Sequence, residues 1–520
     1  NKIMMIFTAL NMLEASALRF PDKIALKDEV REITFKELEN KSRQLGRHLT
    51  ALGVNKGDRV GIFKENSVNT IISMFGAMYA GGAFVCINTK IKPRQVNHII
   101  EDSGIKLIIS NHHKINYFFS NVKNEDVNLM DIEQILTDNT DYNDVLIPHV
   151  IDRDLASLVY TSGSTGKPKG VMFTHNEVVM CAKVMSELFK NTSDENILCT
   201  LPFSADYGLT LLYTMLLVGG KLTILNSFFP NDIVNTLVSE RITSYSGITP
   251  IWPLLYGSRS LFPAKEFPCL RYISIGGGYP PKSIMKRVIE KFEGKTEIYM
   301  LYGLTEASWS TCLRPGMLKE KYGSIGTPVP NVEISLINDD GKICTSGEEG
   351  VLEHRGGVVA KGYWNDLVKS SEVFKQSSAI PEFLRDKERV VYSGDKVIRD
   401  EDGFYFYKSR VDEQIKVMGY RICTEDLLDC LYDTNFVELC CVFGVPAEEG
   451  DQKIVACIVP RENIVNLKEQ LFQYLKKELA SYMVPTQIFI LSELPFTPSN
   501  KIDVVLLKNL FDENKLADNY

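Results

Sequence analysis

Apolar and polar positions along the chain follow two alternating periods. Ile33-Thr34-Phe35 reads as a short strand entering a helix. Thr34 is the expected N-cap, and Glu37, three residues on, completes a capping box. The helical period runs to Leu52, and Gly53 closes it. Asp58 to Ile62 is the next strand. Val68 to Ile87 is the most apolar window. Its length would suit a membrane span, but Gly81-Gly82 splits it, so a buried helix followed by a strand fits better. Helix and strand patterns alternate to about residue 240, which predicts parallel α/β layers. Residues 111–150 are polar and Asn/Asp-rich with no strong period, and are expected as a surface excursion. Leu155 to Tyr160 then reads as a buried strand, and Val171-Met172-Phe173 resumes a strand pattern after a Gly/Ser/Thr loop. Past Arg410 a compact α+β pattern runs to the end. The expected division is therefore 1–411 and 412–520.

At 520 residues the chain is too long for one core. Its 44% apolar and 24% charged residues are those of a soluble globular protein. The net charge of -8 argues against a nucleic-acid face. The 11 cysteines include no Cys-x-x-Cys pair and the seven histidines show no ligand spacing, which points to reduced thiols in a cytoplasmic protein. At the N-terminus, Ile3 to Leu10 is apolar and Ala15-Ser16-Ala17 looks like a cleavage site. Only Lys2 is basic there, and Asn11 and Glu14 interrupt the run, so an amphipathic first helix is expected instead of a signal peptide.

The candidate chemistry begins at Thr161-Ser162-Gly163-Ser164-Thr165-Gly166-Lys167-Pro168-Lys169-Gly170. A loop this free of side-chain bulk lets backbone N–H groups and hydroxyls approach phosphate oxygens, and the two lysines add positive charge. A plain hairpin turn has the same composition. It is not a Walker A loop, because Thr161 and Pro168 stand where that pattern needs Gly and Ser or Thr.

This stretch resembles, nearly residue for residue, the signature of the adenylate-forming ligases. That superfamily includes acyl-CoA synthetases, nonribosomal peptide synthetase adenylation domains and D-alanine–carrier protein ligases. Further matching stretches follow in order along almost the whole chain. The resemblance implies a large N-terminal domain of layered sheets and helices with three subdomains, and a small mobile α+β C-terminal lid. It implies a reaction in which a carboxylate joins the α-phosphate of ATP, pyrophosphate leaves, and a thiol then takes the acyl group. Displacement at phosphorus between anions needs charge neutralisation and positioning more than covalent chemistry.

The implied roles fall on matching positions. Thr161, Ser162, Gly163, Ser164, Thr165, Gly166 and Lys169 would cradle ATP phosphates. In Tyr302-Gly303-Leu304-Thr305-Glu306, expected just past a strand at Ile298 to Leu301, Tyr302 would pack on adenine, Thr305 would contact the α-phosphate and Glu306 would hold Mg²⁺. Gly276, Gly277 and Gly278 would line the adenine and carboxylate site. Asp395, in Tyr392-Ser393-Gly394-Asp395, would take the ribose hydroxyls, supported by Arg410. The family usually has Gly before this Arg, where Ser409 stands. Asp412 would be the hinge. Met418 replaces a usual basic residue, and Gly419 would line the thiol's approach. Lys501, in Thr497-Pro498-Ser499-Asn500-Lys501, would be the mobile cation that serves adenylation. Asn500 replaces a usual Gly and is the next-best residue for a left-handed turn.

For the acid, Asp206 matches the residue that pairs with the amine in amino-acid-activating members, and also an Asp of fatty-acyl-AMP ligases, whose preceding His is Ala205 here. Tyr207, Thr210, Ile275, Leu301 and Trp309 would form the rest of the pocket. Trp309 would shorten it, which favours a small amino acid over a long acyl chain. The expected partners are that acid and a carrier-protein phosphopantetheine thiol, or coenzyme A, in trans. Only 19 residues follow Lys501, so a free-standing ligase is expected, and the glycine-split apolar window leaves no membrane span expected.

Overall fold

The computed structural model describes all residues except 1–3, 122–126, 138–139, 141, 163–166, 378, 386, 411–414, 418–419, 423, 448–451, 463 and 519–520. Two large sheets dominate the chain. A six-stranded sheet runs Asn128–Asp131, Leu107–Ser110, Arg59–Ile62, Ala83–Cys86, Leu155–Ser162 and Pro168–Thr174; only the last pair is antiparallel. A second, 14-stranded sheet has two halves. From Ile24–Lys27 through Lys221–Ile224, Asn196–Cys199, Ser244–Ile248 and Tyr272–Gly276 to Glu297–Leu304 its strands are parallel. From Ser308–Leu313 onward, through Tyr405–Arg410, Val390–Arg399 and Glu349–Gly356, they are antiparallel.

The largest core lies around the helices between these sheets. All 12 residues of the helix Val68–Tyr79 are buried, as expected for a helix that is apolar on every side. The strand Ala83–Cys86 follows the glycine pair, so the apolar window is a core helix and a strand. Among the described residues no helix is long and apolar enough to cross a membrane. The helix Phe35–Ala51 begins on the Thr34–Glu37 capping box read from the sequence. The first helix is Ala9–Arg19, capped by Thr8.

Residues 111–150 differ from expectation. They hold the helices His112–Asn121 and Ile132–Thr137 and the strand Asn128–Asp131, which pairs in parallel with Leu107–Ser110 and forms the sheet edge. The parallel pattern also continues past residue 240, to Leu304.

The smaller C-terminal domain is a three-stranded sheet of Val437–Pro446, Gln452–Pro460 and Gln487–Ile490 with the helices Thr424–Asp433, Leu467–Glu478 and Val504–Asp512. Its seam with the large body is specific. The helix Lys282–Phe292 has no side-chain cap of its own, and the Asp429 carboxylate accepts from the Lys282 backbone N–H at 2.9 Å. Asn88 Nδ2 donates to the Pro498 carbonyl at 2.9 Å, and the Phe228 and Phe496 rings lie 6.2 Å apart.

Candidate functional site

Several of the predicted residues lie where parallel strands of the second sheet end at their carboxyl edge, the usual binding crevice of an α/β sheet. Gly276 ends its strand, and Gly277 and Gly278 turn away with φ of 78° and 129°, backbone that favours glycine. The strand Glu297–Leu304 reaches past the predicted end, so Tyr302 and Gly303 lie within it and Thr305 and Glu306 lie in the turn beyond. Gly303 has no room for a side chain, since a Cβ there would stand 2.0 Å from the Ser308 carbonyl oxygen.

One wall carries a polar triad. Asp395 and Arg410 are register partners on adjacent antiparallel strands, with Arg410 Nη1 3.7 Å from Asp395 Oδ1. The Tyr302 hydroxyl donates to Asp395 Oδ2. Burial, and then the Asp395 carboxylate, push the Tyr302 hydroxyl well above the ordinary phenol range, so it stays a donor. His354 stacks on Tyr302 with ring centroids 5.9 Å apart; burial pushes its pKa down to about 3, so the imidazole is neutral.

Glu306 is held by a residue that sequence reasoning missed. The Tyr363 hydroxyl donates to Glu306 Oε1 at 2.6 Å, and the Ala360 N–H donates to the Glu306 carbonyl at 2.9 Å. The segment around Tyr363 also pairs with the strand Pro168–Thr174: the Met172 N–H donates to the Gly362 carbonyl and the Trp364 N–H to the Gly170 carbonyl. Lys169 Nζ lies over the Tyr363 ring at 5.6 Å. The arm of the Gly/Ser/Thr hairpin is thus tied to Glu306. Thr161 pairs with Lys169 across the hairpin. Gly163, Ser164, Thr165 and Gly166 lie outside the described residues, as do the side chain of Ser162, and Asp412, Met418 and Gly419.

Among the described residues no cluster of three or more His, Cys, Asp or Glu could hold a metal ion. Glu306 alone, with one oxygen engaged by Tyr363, fits a Mg²⁺ carried mainly by phosphate oxygens and water.

The smaller domain carries Lys501. The hairpin around Lys501 is closed by the Thr497 N–H donating to the Lys501 carbonyl at 2.6 Å. Asn500 has φ of 62°, the left-handed turn expected of it. Lys501 is brought to the glycine turn: a Cβ on Gly277 would stand 3.8 Å from Lys501 Cε. Asp206 is close enough to feel its charge. Burial pushes the Asp206 carboxyl up, Lys501 opposes this and Glu306 adds to it. Thr305 Oγ1 donates to Asp206 Oδ1 at 3.5 Å.

The expected pocket residues divide. Tyr207 and Trp309 pack edge to face, with centroids 4.5 Å apart, against Gly276, and the Tyr207 hydroxyl meets Ser274 Oγ at 2.8 Å. Leu301 is buried in the same core as Trp309. Ile275 belongs elsewhere. Successive strand side chains point to opposite faces, and Ile275 packs in a second core with Trp252 and Tyr245. Asp206 and Thr210 line a cavity of about 30 Å³ on the far side of their helix, reaching Cys181 and Ser308, which were not predicted.

A model of the AMP-binding enzyme family matches residues 13–364, and one of the AMP-binding enzyme C-terminal domain matches residues 429–501. Gramicidin S synthase 2 of Brevibacillus brevis is 30% identical over 500 residues, 95% of this chain; the chain spans only 11% of that protein's length. Zwittermicin A synthase ZmaJ of Bacillus cereus is 29% identical, over 95% of this chain and 93% of its own. Among solved structures, the o-succinylbenzoate coenzyme A synthetase of Bacillus subtilis in complex with ATP and magnesium ion is 25% identical. It superposes with a TM-score of 0.81 over 96% of this chain and 99% of its own.

Proposed function

This chain belongs to the AMP-binding enzyme family, and from that premise we propose that it activates a small acid, an amino acid by first choice, as its acyl-adenylate. The acyl group then passes to a phosphopantetheine thiol on a carrier protein. The observation that carries the reading is that Lys501 lies against Gly277, while the buried Asp206 feels the charges of both Lys501 and Glu306.

In this reading ATP lies between the hairpin Leu155–Ser162/Pro168–Thr174 and the Tyr302–Asp395–Arg410 wall. Asp395 accepts the ribose hydroxyls while Arg410 and the Tyr302 hydroxyl hold its carboxylate in place. A Mg²⁺ at Glu306 supplies charge neutralisation for the phosphates when it is bound. Lys501 bridges the substrate carboxylate and the α-phosphate, so that negative charge developing at phosphorus meets an ammonium already in position. Thr305 orients an α-phosphate oxygen. Asp206 pairs with the amine of the acid.

We assign residues 1–411 to the nucleotide and acid site and 412–520 to a lid that carries Lys501, with Asp412 as hinge. The lid must withdraw Lys501 before the thiol enters. The gramicidin and zwittermicin synthases support an amino acid and a carrier protein; coenzyme A, which presents the same thiol, is the second acceptor and is supported by the o-succinylbenzoate coenzyme A synthetase. ATP–pyrophosphate exchange across a panel of amino, fatty and aromatic acids tests the proposal. Exchange with small amino acids is the expected result. Exchange confined to fatty or aromatic acids would refute the substrate class, and no exchange at all would refute the reaction.

A further inference from the structure

We infer that Glu438 is a positioning residue for Lys501: its carboxylate neutralises Arg461, so that the smaller domain can seat against Arg287 and Arg259 of the large body. The inference rests on the adenylation reading above, in which Lys501 must reach the glycine turn.

The joint lies at the end of the helix Ile251–Leu255. Leu254 packs against the large-body core around Trp252 and also against the smaller-domain cluster of Leu439, Cys441 and Leu507. Phe496 and Ile502 pack on that same cluster, and they bridge to each other across the hairpin that carries Lys501. One apolar cluster therefore joins the strand Val437–Pro446 to the Lys501 hairpin, and a shift of that strand at the joint moves the cation.

Charges flank this apolar contact. On the large body, Arg287 Cζ lies 4.5 Å from the Tyr256 ring centroid, and Arg287 Nη1 donates to the Tyr256 carbonyl at 3.3 Å. On the smaller domain, Arg461 Nε donates to the Val437 carbonyl at 3.0 Å. The next residue on each side makes the contact. Glu438 comes down on Gly257, where a Cβ would stand 2.8 Å from Glu438 Oε1. The bare glycine admits the carboxylate between the two guanidiniums. Burial, and then Arg287, disfavour the charged form of Arg461, while Glu438 favours it. Burial raises the Glu438 carboxyl, and Arg461 and Arg259 oppose this. A guanidinium does not deprotonate in a protein. Without the carboxylate, Arg461 and Arg287 would therefore face each other across a half-buried joint, and their repulsion would push the smaller domain off. Glu438 touches no reacting atom, so it acts only through the seating of Lys501.

The test is ATP–pyrophosphate exchange by the whole protein with the acid that wild type exchanges fastest, and thermal melting as the check on folding. Glu438→Gln keeps the shape and removes the charge. It should slow exchange about tenfold, a coupling of the size that neighbouring charges carry. Arg461→Gln alone should exchange at least as fast as wild type, because it removes the repulsion from Arg287. Combined with Glu438→Gln, it should restore most of the lost rate, a rescue that a merely structural role for Glu438 would not produce. Gly257→Ala displaces the carboxylate from the other side of the joint and should slow exchange in the same way. Wild-type exchange rates in a normally melting Glu438→Gln protein would overturn the inference. So would a double variant as slow as Glu438→Gln or slower. Absence of wild-type exchange with every acid would overturn the adenylation reading and this inference together.

Discussion

Replacing Asp206 by alanine separates an amino acid substrate from a simple carboxylic acid. Asp206 opens the helix Asp206–Val218 and faces the cavity, with Thr305, Lys501 and Glu306 close by. An ammonium about 4 Å from a carboxylate gains about 4 kcal/mol at an effective dielectric of about 20. Removing the carboxylate leaves that ammonium desolvated beside Lys501, a loss of about 3–5 kcal/mol. We expect kcat/KM for the amino acid to fall several hundredfold or more in Asp206→Ala. The des-amino acid of equal size should be unaffected or favoured, because only in wild type does it face an uncompensated carboxylate. The pH profile gives a second reading. Burial first, and Glu306 after it, hold the Asp206 carboxyl above the ordinary aspartate value, with Lys501 opposing. As pH falls, Asp206 therefore takes up its proton earlier than a solvated aspartate, and amino acid activation should decline on that limb while des-amino acid activation should not. The same shift fixes the stability sign. The folded state binds this proton more tightly than the unfolded chain, so ionisation of Asp206 costs stability at neutral pH, and Asp206→Ala should melt no lower than wild type. ATP–pyrophosphate exchange on the two acids between pH 5 and 8, with melting curves alongside, is the assay. An equal loss on both acids would refute the ammonium partnership.

Three further outcomes follow from the geometry. Lys501→Ala should abolish pyrophosphate exchange yet still form thioester from supplied acyl-adenylate, since the cation is needed only while charge develops at phosphorus; equal loss of both half-reactions would count against it. Glu306→Gln should raise the Mg²⁺ concentration needed for half-maximal exchange, and an unchanged titration would remove Glu306 from the metal. Asp429→Ala removes the cap that the smaller domain gives the helix Lys282–Phe292. Losing about 1 kcal/mol of capping should slow adenylation about fivefold, and Asp429→Asn, which keeps an acceptor, should restore most of it; equal rates in all three proteins would show that the seam does not hold Lys501 in place.

Local signals in the sequence carried much of this picture. The Thr34–Glu37 capping box, the glycine-split window at Val68 to Ile87 and the left-handed Asn500 all depend on residues within a few positions of one another. The strand Asn128–Asp131 was hidden because four residues among polar neighbours carry too little periodicity, and its place is set by pairing with Leu107–Ser110. Ile275 was read into the site from its motif, but the pleat decides the face, and Ser274 and Gly276 are the residues on the Tyr207 side. Tyr363, His354 and Cys181 were silent for a different reason. Each reaches its partner across 44 to 127 residues, through pairings that no local pattern encodes.

The bond from Tyr363 to Glu306 has a thermodynamic consequence. Tyr363 sits on a segment that shares backbone hydrogen bonds with the strand Pro168–Thr174, one arm of the Gly/Ser/Thr hairpin. A ligand that orders that arm lowers the entropy still to be lost when Glu306 engages a cation, and a cation at Glu306 steadies the arm in return. Nucleotide and Mg²⁺ should then bind with positive heterotropic coupling, each raising the affinity for the other by the same factor. Cutting the bond in Tyr363→Phe should bring that factor toward one while leaving both intrinsic sites in place.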